Sequence, residues 1–211
     1  MKNEHNICHY CGGRLYALAN SHAKCSRCAK KYSLKKAAFD EAVIEGFCQN
    51  KSANELAKEL EVTYAKVFER YRRLRLLIMQ SFNEDISKAK EFEEYIYIPN
   101  KRAGQSKEAF NFITFCIDQK VYNYLLPSLK RFYGEEADRG INSFMRRSHI
   151  AKLSHAKNTI TDFWEFFESF MKHFKGVEAE KFAFYLKEAE FKFNYPQDRR
   201  ITLLRSLWFV K

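Results

Sequence analysis

Two Cys-x-x-Cys motifs near the start of the chain constrain its fold more than any other feature. Cys8 and Cys11 form the first motif, and Cys25 and Cys28 form the second after thirteen intervening residues. A two-residue spacer lets a tight turn direct both sulfur atoms at one ion, and two such turns complete the four-thiolate site that zinc prefers. The spacing therefore predicts a zinc ribbon over residues 1–36, in which a hairpin brings the second motif back to the first.

The residues around the two motifs agree with a structural metal site. Gly12 and Gly13 follow the first motif directly, where turns of this kind need positive φ angles. A ribbon this short has little core, so bound metal must supply much of its folding free energy. A redox dithiol would need only one Cys-x-x-Cys, and the second motif therefore favours metal binding. The simpler alternative is that the four cysteines are unconnected and share no metal site.

The charge balance points to an anionic partner. The chain has 37 Lys and Arg against 26 Asp and Glu, a net charge of +11. A protein this basic typically meets a polyanion, whereas the simpler interpretation is a solvated basic surface with no partner. Several of these cations surround the cysteine motifs: Arg14, Lys24, Arg27, Lys30, Lys31, Lys35 and Lys36. We predict phosphate contacts from this group, with Arg14, Arg27, Lys30 and Lys31 as the ribbon's candidate DNA-binding residues.

Composition excludes several other classes of protein. Hydrophobic residues make up 46% of the chain and aromatic residues 16%, which excludes disorder as its main state. Residues 1–20 lack the continuous apolar core of a signal peptide, and no apolar run approaches the roughly 20 residues that span a bilayer. The expectation is a cytoplasmic protein associated with the nucleoid, with no membrane partner and no evident small-molecule substrate.

Residues 37–82 show three successive helical patterns. Apolar residues recur at helical spacing over 37–48. Ser52 with Glu55 has the signature of a capping box that starts a second helix, and Thr63 can cap a third. Three helices with a short turn before the last match the helix-turn-helix pattern, so we predict a DNA-binding region here.

The third helix of this region is the expected reader of DNA. A recognition helix enters the major groove by its N-terminal residues, where Thr63, Tyr64 and Lys66 lie. Arg70, Arg72, Arg73 and Arg75 follow on the same helix and could clamp phosphates. A plain three-helix bundle with a charged outer face is the alternative.

The remainder of the chain, 91–211, has a mixed pattern. Three short apolar stretches predict a meander of strands, and two longer segments predict helices. The predicted strands cover 91–98, 110–117 and 121–126, and the clearest helices cover 158–174 and 178–194.

In this order of elements the chain resembles the zinc-ribbon insertion-sequence transposases, whose catalytic domain has a ribonuclease-H-like fold. The resemblance covers most of the chain. Its most specific stretches are Ile160-Thr161-Asp162-Phe163-Trp164, Phe174-Lys175-Gly176-Val177 and the run from Tyr185 to Asn194. Glu91-Phe92-Glu93-Glu94 is similar to the family's acidic first strand, and His155 to its histidine ahead of the last acid.

The resemblance implies three carboxylates, Asp, Asp and Glu, that hold two divalent ions such as Mg²⁺. Here Glu93 stands at the first position, Asp138 is the only Asp in the segment where the second belongs, and Thr161 stands at the third. A hydroxyl does not replace a carboxylate as a metal ligand without a large loss of affinity. Asp162 and Glu165 are the neighbours that could rebuild a site with Glu93.

Together these features predict an α+β protein. An N-terminal zinc ribbon and a helix-turn-helix precede a shortened ribonuclease-H-like domain with a small antiparallel meander and C-terminal helices. We expect a degenerate or truncated transposase relative that holds structural Zn²⁺, binds double-stranded DNA without strand-transfer activity, and uses its C-terminal part as a scaffold or for homo-oligomerisation. Three alternatives remain open: an active, Mg²⁺-dependent transposase with a shifted acid site, a transcription regulator derived from a transposase, and an adaptor that binds proteins through the ribbon.

Overall fold

A computed structural model describes residues 7–89, 91–97, 110–126, 158–174 and 177–209. The chain divides into two compact units, Met1–Phe82 with Tyr195–Lys211, and Asn83–Asn194. Each unit contains one antiparallel three-stranded sheet, so the fold is α+β as predicted.

The ribbon of the first unit consists of β1 (Leu15–Leu18), β2 (His22–Cys25) and β3 (Lys31–Ser33), paired in that order. Its buried core contains few residues: Cys8, Leu15, Ala23 and Cys25. A core this small agrees with the expectation that metal binding supplies folding free energy.

The first helix, α1, spans Leu34–Cys48 and begins three residues before the predicted start at 37. Ser33 explains the earlier start, because its side chain accepts a hydrogen bond from the backbone N–H of Lys36 at 3.3 Å. Asn50 ends the helix with φ +63°, and the N–H of Lys51 donates to the carbonyl of Gly46 at 3.0 Å.

The next two helices are α2 (Ala53–Glu59) and α3 (Tyr64–Ser81). The predicted capping box is confirmed, since Ser52 and Glu55 exchange both of its hydrogen bonds. Thr63 has the extended backbone of an N-cap residue, but its side chain makes no capping hydrogen bond. The prediction that Thr63 caps α3 is therefore wrong for the side chain, although the helix begins at the expected residue.

The last helix of the first unit lies at the far end of the sequence. We name Gln197–Phe209 α6, and it packs against both α1 and α3. The sequence-based division placed all of 91–211 in one domain, whereas contacts group Tyr195–Lys211 with the ribbon and the first three helices. Leu204 is fully buried in this packing.

The second unit contains the meander β4 (Glu91–Tyr97), β5 (Phe110–Ile117) and β6 (Lys120–Leu125). The strands pair antiparallel in chain order, which confirms the predicted meander. Two helices pack on it, α4 (Thr159–Met171) and α5 (Ala179–Asn194). Their shared core is dominated by buried phenylalanines, among them Phe112, Phe163, Phe167 and Phe182.

Candidate zinc centre and nucleic-acid interface

The structure brings the four cysteines of the two motifs together. All four Sγ atoms lie within 4.8 Å of one another. The Sγ atoms of Cys8 and Cys28 are 3.7 Å apart, and those of Cys11 and Cys25 are 3.4 Å apart. Zinc–sulfur bonds of about 2.3 Å in a tetrahedron place neighbouring sulfurs about 3.8 Å apart. The donor set and its spacing therefore fit one Zn²⁺.

Backbone donors around Cys25 favour the thiolate form that zinc requires. The N–H groups of Cys28 and Arg27 donate to its Sγ at 3.4 Å and 3.3 Å. These hydrogen bonds, that from Cys28 foremost, lower the pKa of Cys25 to about 6. A deprotonated sulfur at neutral pH lowers the cost of releasing protons when metal binds.

The two glycines after the first motif serve different purposes. Gly12 has φ +69°, as the sequence predicts. Gly13 is needed for space instead, because a Cβ there would lie 2.7 Å from Arg27 Cβ and 3.0 Å from Cys25 Sγ. The expectation that both glycines provide positive φ is thus correct for Gly12 alone.

The candidate DNA contacts of the ribbon are exposed. Arg14, Arg27, Lys30 and Lys31 all lie on its surface. Arg27 Nη1 donates to the carbonyl of Cys11 at 3.4 Å, which ties it to the first motif. Lys30 Nζ lies 3.8 Å from the centre of the Tyr10 ring.

The N-terminal turn of α3 also faces solvent. Thr63, Tyr64 and Lys66 are exposed, and Tyr64 stacks on Phe68 with ring centres 5.4 Å apart. Lys66 Nζ lies 4.5 Å from the centre of the Phe39 ring on α1. These residues are accessible to DNA, as their predicted role requires.

Of the four arginines predicted to clamp phosphates, Arg75 is buried in the fold and so cannot do so, while Arg70 and Arg73 differ in their surroundings. Arg70 Nε donates to Asp40 Oδ1 at 3.1 Å, and the Asp40 carboxylate is almost fully buried. Arg70 therefore belongs to an internal ion pair. Arg73 is exposed, with its guanidinium carbon 4.3 Å from the centre of the Trp208 ring, and it retains its hydrogen-bonding edge.

Three exposed cations line the junction of α1 and α3, and we name Lys36, Lys66 and Arg73 the basic ridge. Lys66 lies over Phe39 of α1, and Lys36 and Arg73 line one cleft. The carboxylate beside them, Asp40, is already paired with Arg70. The basic ridge therefore keeps its positive charge. Sequence reasoning had grouped Lys36 with the ribbon, whereas it lies in the first turn of α1.

An ion pair on the outer side of α3 escaped the sequence analysis. Arg72 donates from Nε and Nη2 to the two oxygens of Glu69 at 2.9 Å and 2.8 Å. The hydrogen bond from Arg72 lowers the pKa of Glu69. The three-residue spacing on a helix was the available signal.

The candidate catalytic acids do not assemble in the part of the chain that the structure describes. There the four cysteines are the only group of three or more Cys, His, Asp or Glu side chains close enough to share an ion. Glu93 is exposed on β4, and Asp162 and Glu165 are exposed on α4. Asp138 and His155 lie outside the described residues. The rebuilt site of Glu93, Asp162 and Glu165 is therefore not formed.

Thr161, which stands at the family's third acid position, has a structural role. Its Oγ1 accepts from the N–H of Asn158 at 3.0 Å, and its N–H donates to Asn158 Oδ1 at 2.8 Å. The two residues form a capping box that starts α4.

The closing motif of the resemblance attaches α5 to the edge of the sheet. Glu190 Oε2 accepts from the backbone N–H of Asn123 at 2.7 Å, and burial raises the pKa of Glu190. Asn194 bonds both backbone groups of Val121, at 2.8 Å and 2.7 Å. Both side chains replace strand partners along β6, so their role here is structural.

Comparison with known proteins adds no relative: no family model, curated protein or solved structure matches the chain. The likeness to transposases therefore rests on the sequence motifs alone. No helix in the described ranges is long and apolar enough to cross a membrane.

Proposed function

We propose that this protein binds double-stranded DNA through its zinc-stabilised first unit, as a transposase relative that lacks strand-transfer activity. The basic ridge carries the proposal. Lys36, Lys66 and Arg73 are exposed side chains from two helices, and the nearby carboxylate is already paired. Unpaired cations that converge on one surface are the electrostatic basis of phosphate binding.

The exposed turn at the start of α3 supports the same function. The side chain of Thr63 makes no capping hydrogen bond. Thr63 and Tyr64 are both exposed, at the end of the helix where a recognition helix contacts bases. Arg72 and Glu69 lie on the outward side of the same helix. In this proposal the ridge positions the protein on the backbone, and the outer side of α3 faces the base edges.

The ribbon contributes Zn²⁺ binding and further cations. The metal would be held by Cys8, Cys11, Cys25 and Cys28, and it would fix the turn that carries Arg27. Removal of the metal is then expected to unfold the ribbon and weaken DNA binding.

In this proposal the second unit, a shortened ribonuclease-H-like domain, serves as a scaffold and as the surface for homo-oligomerisation. Its acids Glu93, Asp162 and Glu165 remain apart in the described structure, which favours binding without strand transfer. Such a protein would act at the nucleoid, in the cytoplasm.

Fluorescence anisotropy with a labelled random-sequence duplex, titrated over salt concentration, tests the proposal. Wild-type protein with zinc should bind with a steep negative salt dependence. The variant Lys36→Ala/Lys66→Ala should lower the slope by about 0.9 per lost phosphate contact. The control Lys172→Ala/Lys181→Ala removes the same charge from the second unit and should leave the slope unchanged. Absence of salt-dependent binding by the zinc-loaded wild type would overturn the proposal.

A further inference from the structure

A small cleft opens between the ribbon, α1 and α6 beside the basic ridge. Its volume is about 230 Å³. Aromatic side chains of Tyr10, Tyr32 and Trp208 form much of its wall, and Lys36 and Arg73 contribute positive charge. The volume lies below the range of roughly 300–1,000 Å³ typical of pockets for drug-sized ligands, so the cleft is sized for one small ligand.

The charge inside the cleft favours an anion. Asp40 also lines it, but Oδ1 accepts from Arg70 and Oδ2 accepts from Trp208 Nε1 at 3.2 Å. Its charge is therefore neutralised within the fold. Across the described residues, neither Lys36 nor Arg73 has an acidic partner, so the cleft keeps two uncompensated cations.

The position of these cations suits phosphate in particular. The Trp208 ring lies against the guanidinium of Arg73, whose N–H edge stays open. The N–H groups of this edge can donate two parallel hydrogen bonds to the oxygens of one phosphate. Lys36 lies in the first turn of α1, a turn that contains no acidic residue, where the helix dipole also favours an anion.

The aromatic wall gives the cleft a second recognition element. The rings of Tyr32 and Tyr10 both line the cleft, with their centres 5.7 Å apart. Aromatic rings stack on nucleobases of any sequence. A phosphate site beside an aromatic wall therefore matches one nucleotide.

We infer that this cleft binds one nucleotide by its phosphomonoester, with the phosphate between Lys36 and Arg73 and the base against Tyr10 and Tyr32. The inference rests on the proposed function, since it assigns the nucleotide to the 5′-phosphorylated end of a DNA strand. A protruding chain end enters a concave cleft, whereas the internal phosphates of a duplex lie on its convex surface. A free mononucleotide carries the same chemistry, and the experiment separates the two sources.

The test compares two labelled duplexes of the same sequence, one with 5′-phosphate ends and one with 5′-hydroxyl ends, bound to the zinc-loaded full chain. Wild type should bind the phosphorylated duplex about tenfold more tightly, as expected for charge-assisted hydrogen bonds. Lys36→Ala should lose that preference. Lys58→Ala removes the same charge from an exposed position on α2 outside the cleft and should keep the preference. Arg73→Lys should reduce it, because the planar fork is lost.

A parallel titration with deoxyadenosine 5′-monophosphate identifies the source. Binding of this nucleotide that is lost in Lys36→Ala, without a preference for phosphorylated ends, assigns the cleft to a free mononucleotide. No end preference and no nucleotide binding, with salt-dependent duplex binding intact, overturns the inference and leaves the proposed function standing. If duplex binding itself is absent, the proposed function fails.

Discussion

Trp208 donates its indole N–H to Asp40 at 3.2 Å and thereby fastens the last helix of the chain to the first. The other oxygen of Asp40 accepts from Arg70 at 3.1 Å, so one buried carboxylate connects α1, α3 and α6. The arrangement leaves no oxygen of Asp40 without a donor, as a buried charge requires. Arg70, which the sequence suggested for DNA, is held by this buried carboxylate.

Replacement of Asp40 should destabilise the first unit. Asp40→Ala leaves the Arg70 charge and the Trp208 indole without their acceptor, and we expect a loss of about 2–3 kcal/mol, less than for a fully buried pair because Arg70 is partly exposed. Urea denaturation measures this loss. The control Asp162→Ala removes an exposed carboxylate and should cost under about 1 kcal/mol. Equal losses in the two variants would contradict the structural role of Asp40.

Substitution of Gly13 should weaken metal binding. A Cβ at this position meets Cys25 Sγ at 3.0 Å and Cys11 Sγ at 3.3 Å, so Gly13→Ala must displace a ligand. We expect a loss of about 10–100-fold in zinc affinity, the range found when groups that orient ligands are changed. Competition with a chromophoric chelator measures it.

Gly12→Ala is the matched control for that experiment. Nothing lies within 4 Å of its added Cβ, and its positive φ should cost only about 1–2 kcal/mol of backbone strain. Zinc affinity should fall less than in Gly13→Ala. The reverse order of affinities would contradict the steric role of Gly13.

Acid should weaken the first unit partly through Glu41. Burial opposes ionisation of this carboxylate, but hydrogen bonds from His9 and Arg205 together hold its pKa below the ordinary value of 4.5. A group with a lowered folded pKa stabilises the protein above its unfolded pKa, and that stability is lost as the pH falls through the folded pKa.

Glu41→Gln should therefore destabilise the protein at neutral pH and flatten the further loss of stability below about pH 4.5. The measured quantity is the difference between the wild-type and variant free energies of unfolding over pH, since zinc release in acid affects both proteins. A difference that stays constant across this window would exclude the contribution of Glu41.

Neutralisation of Glu69 should strengthen DNA binding if the proposed function is correct. Its carboxylate holds both donors of Arg72 on the outer side of α3 and adds negative charge to the proposed interface. Glu69→Gln frees Arg72 for phosphate or base edges, and we expect a gain of about three- to tenfold in duplex affinity. Glu59→Gln breaks another ion pair, between Glu59 on α2 and Lys51 before it, and serves as the control. A loss of affinity in Glu69→Gln would place the interface elsewhere.

Local signals in the sequence were sufficient for the four-cysteine cluster, for most of the first three helices and for the meander. The Cys-x-x-Cys spacing, the Ser52–Glu55 capping box and the apolar stretches of the meander each depend on residues a few positions apart. Interactions between such close neighbours depend little on the rest of the fold, which is why the structure confirms these predictions. The start of α1 was misplaced because the cap at Ser33 lies outside the apolar pattern used to find the helix.

Long-range pairings were not predictable in the same way. Asp40 meets Arg70 from 30 residues away and Trp208 from 168 residues away, and no periodicity connects them. The ion pair between Arg70 and Asp40 could therefore be found only from the folded structure. The same holds for Glu190 and Asn194, whose motif suggested a family, whereas their bonds to Asn123 and Val121 show a docking role.

The placement of α6 also affects how the protein is made. In the sequence, the second unit lies between the two segments of the first, Met1–Phe82 and Tyr195–Lys211. On a ribosome, the ribbon and α1–α3 emerge long before Trp208. The hydrogen bond from Trp208 to Asp40 can therefore form only after the whole second unit has been translated. The nascent chain must carry an incomplete first unit through that interval.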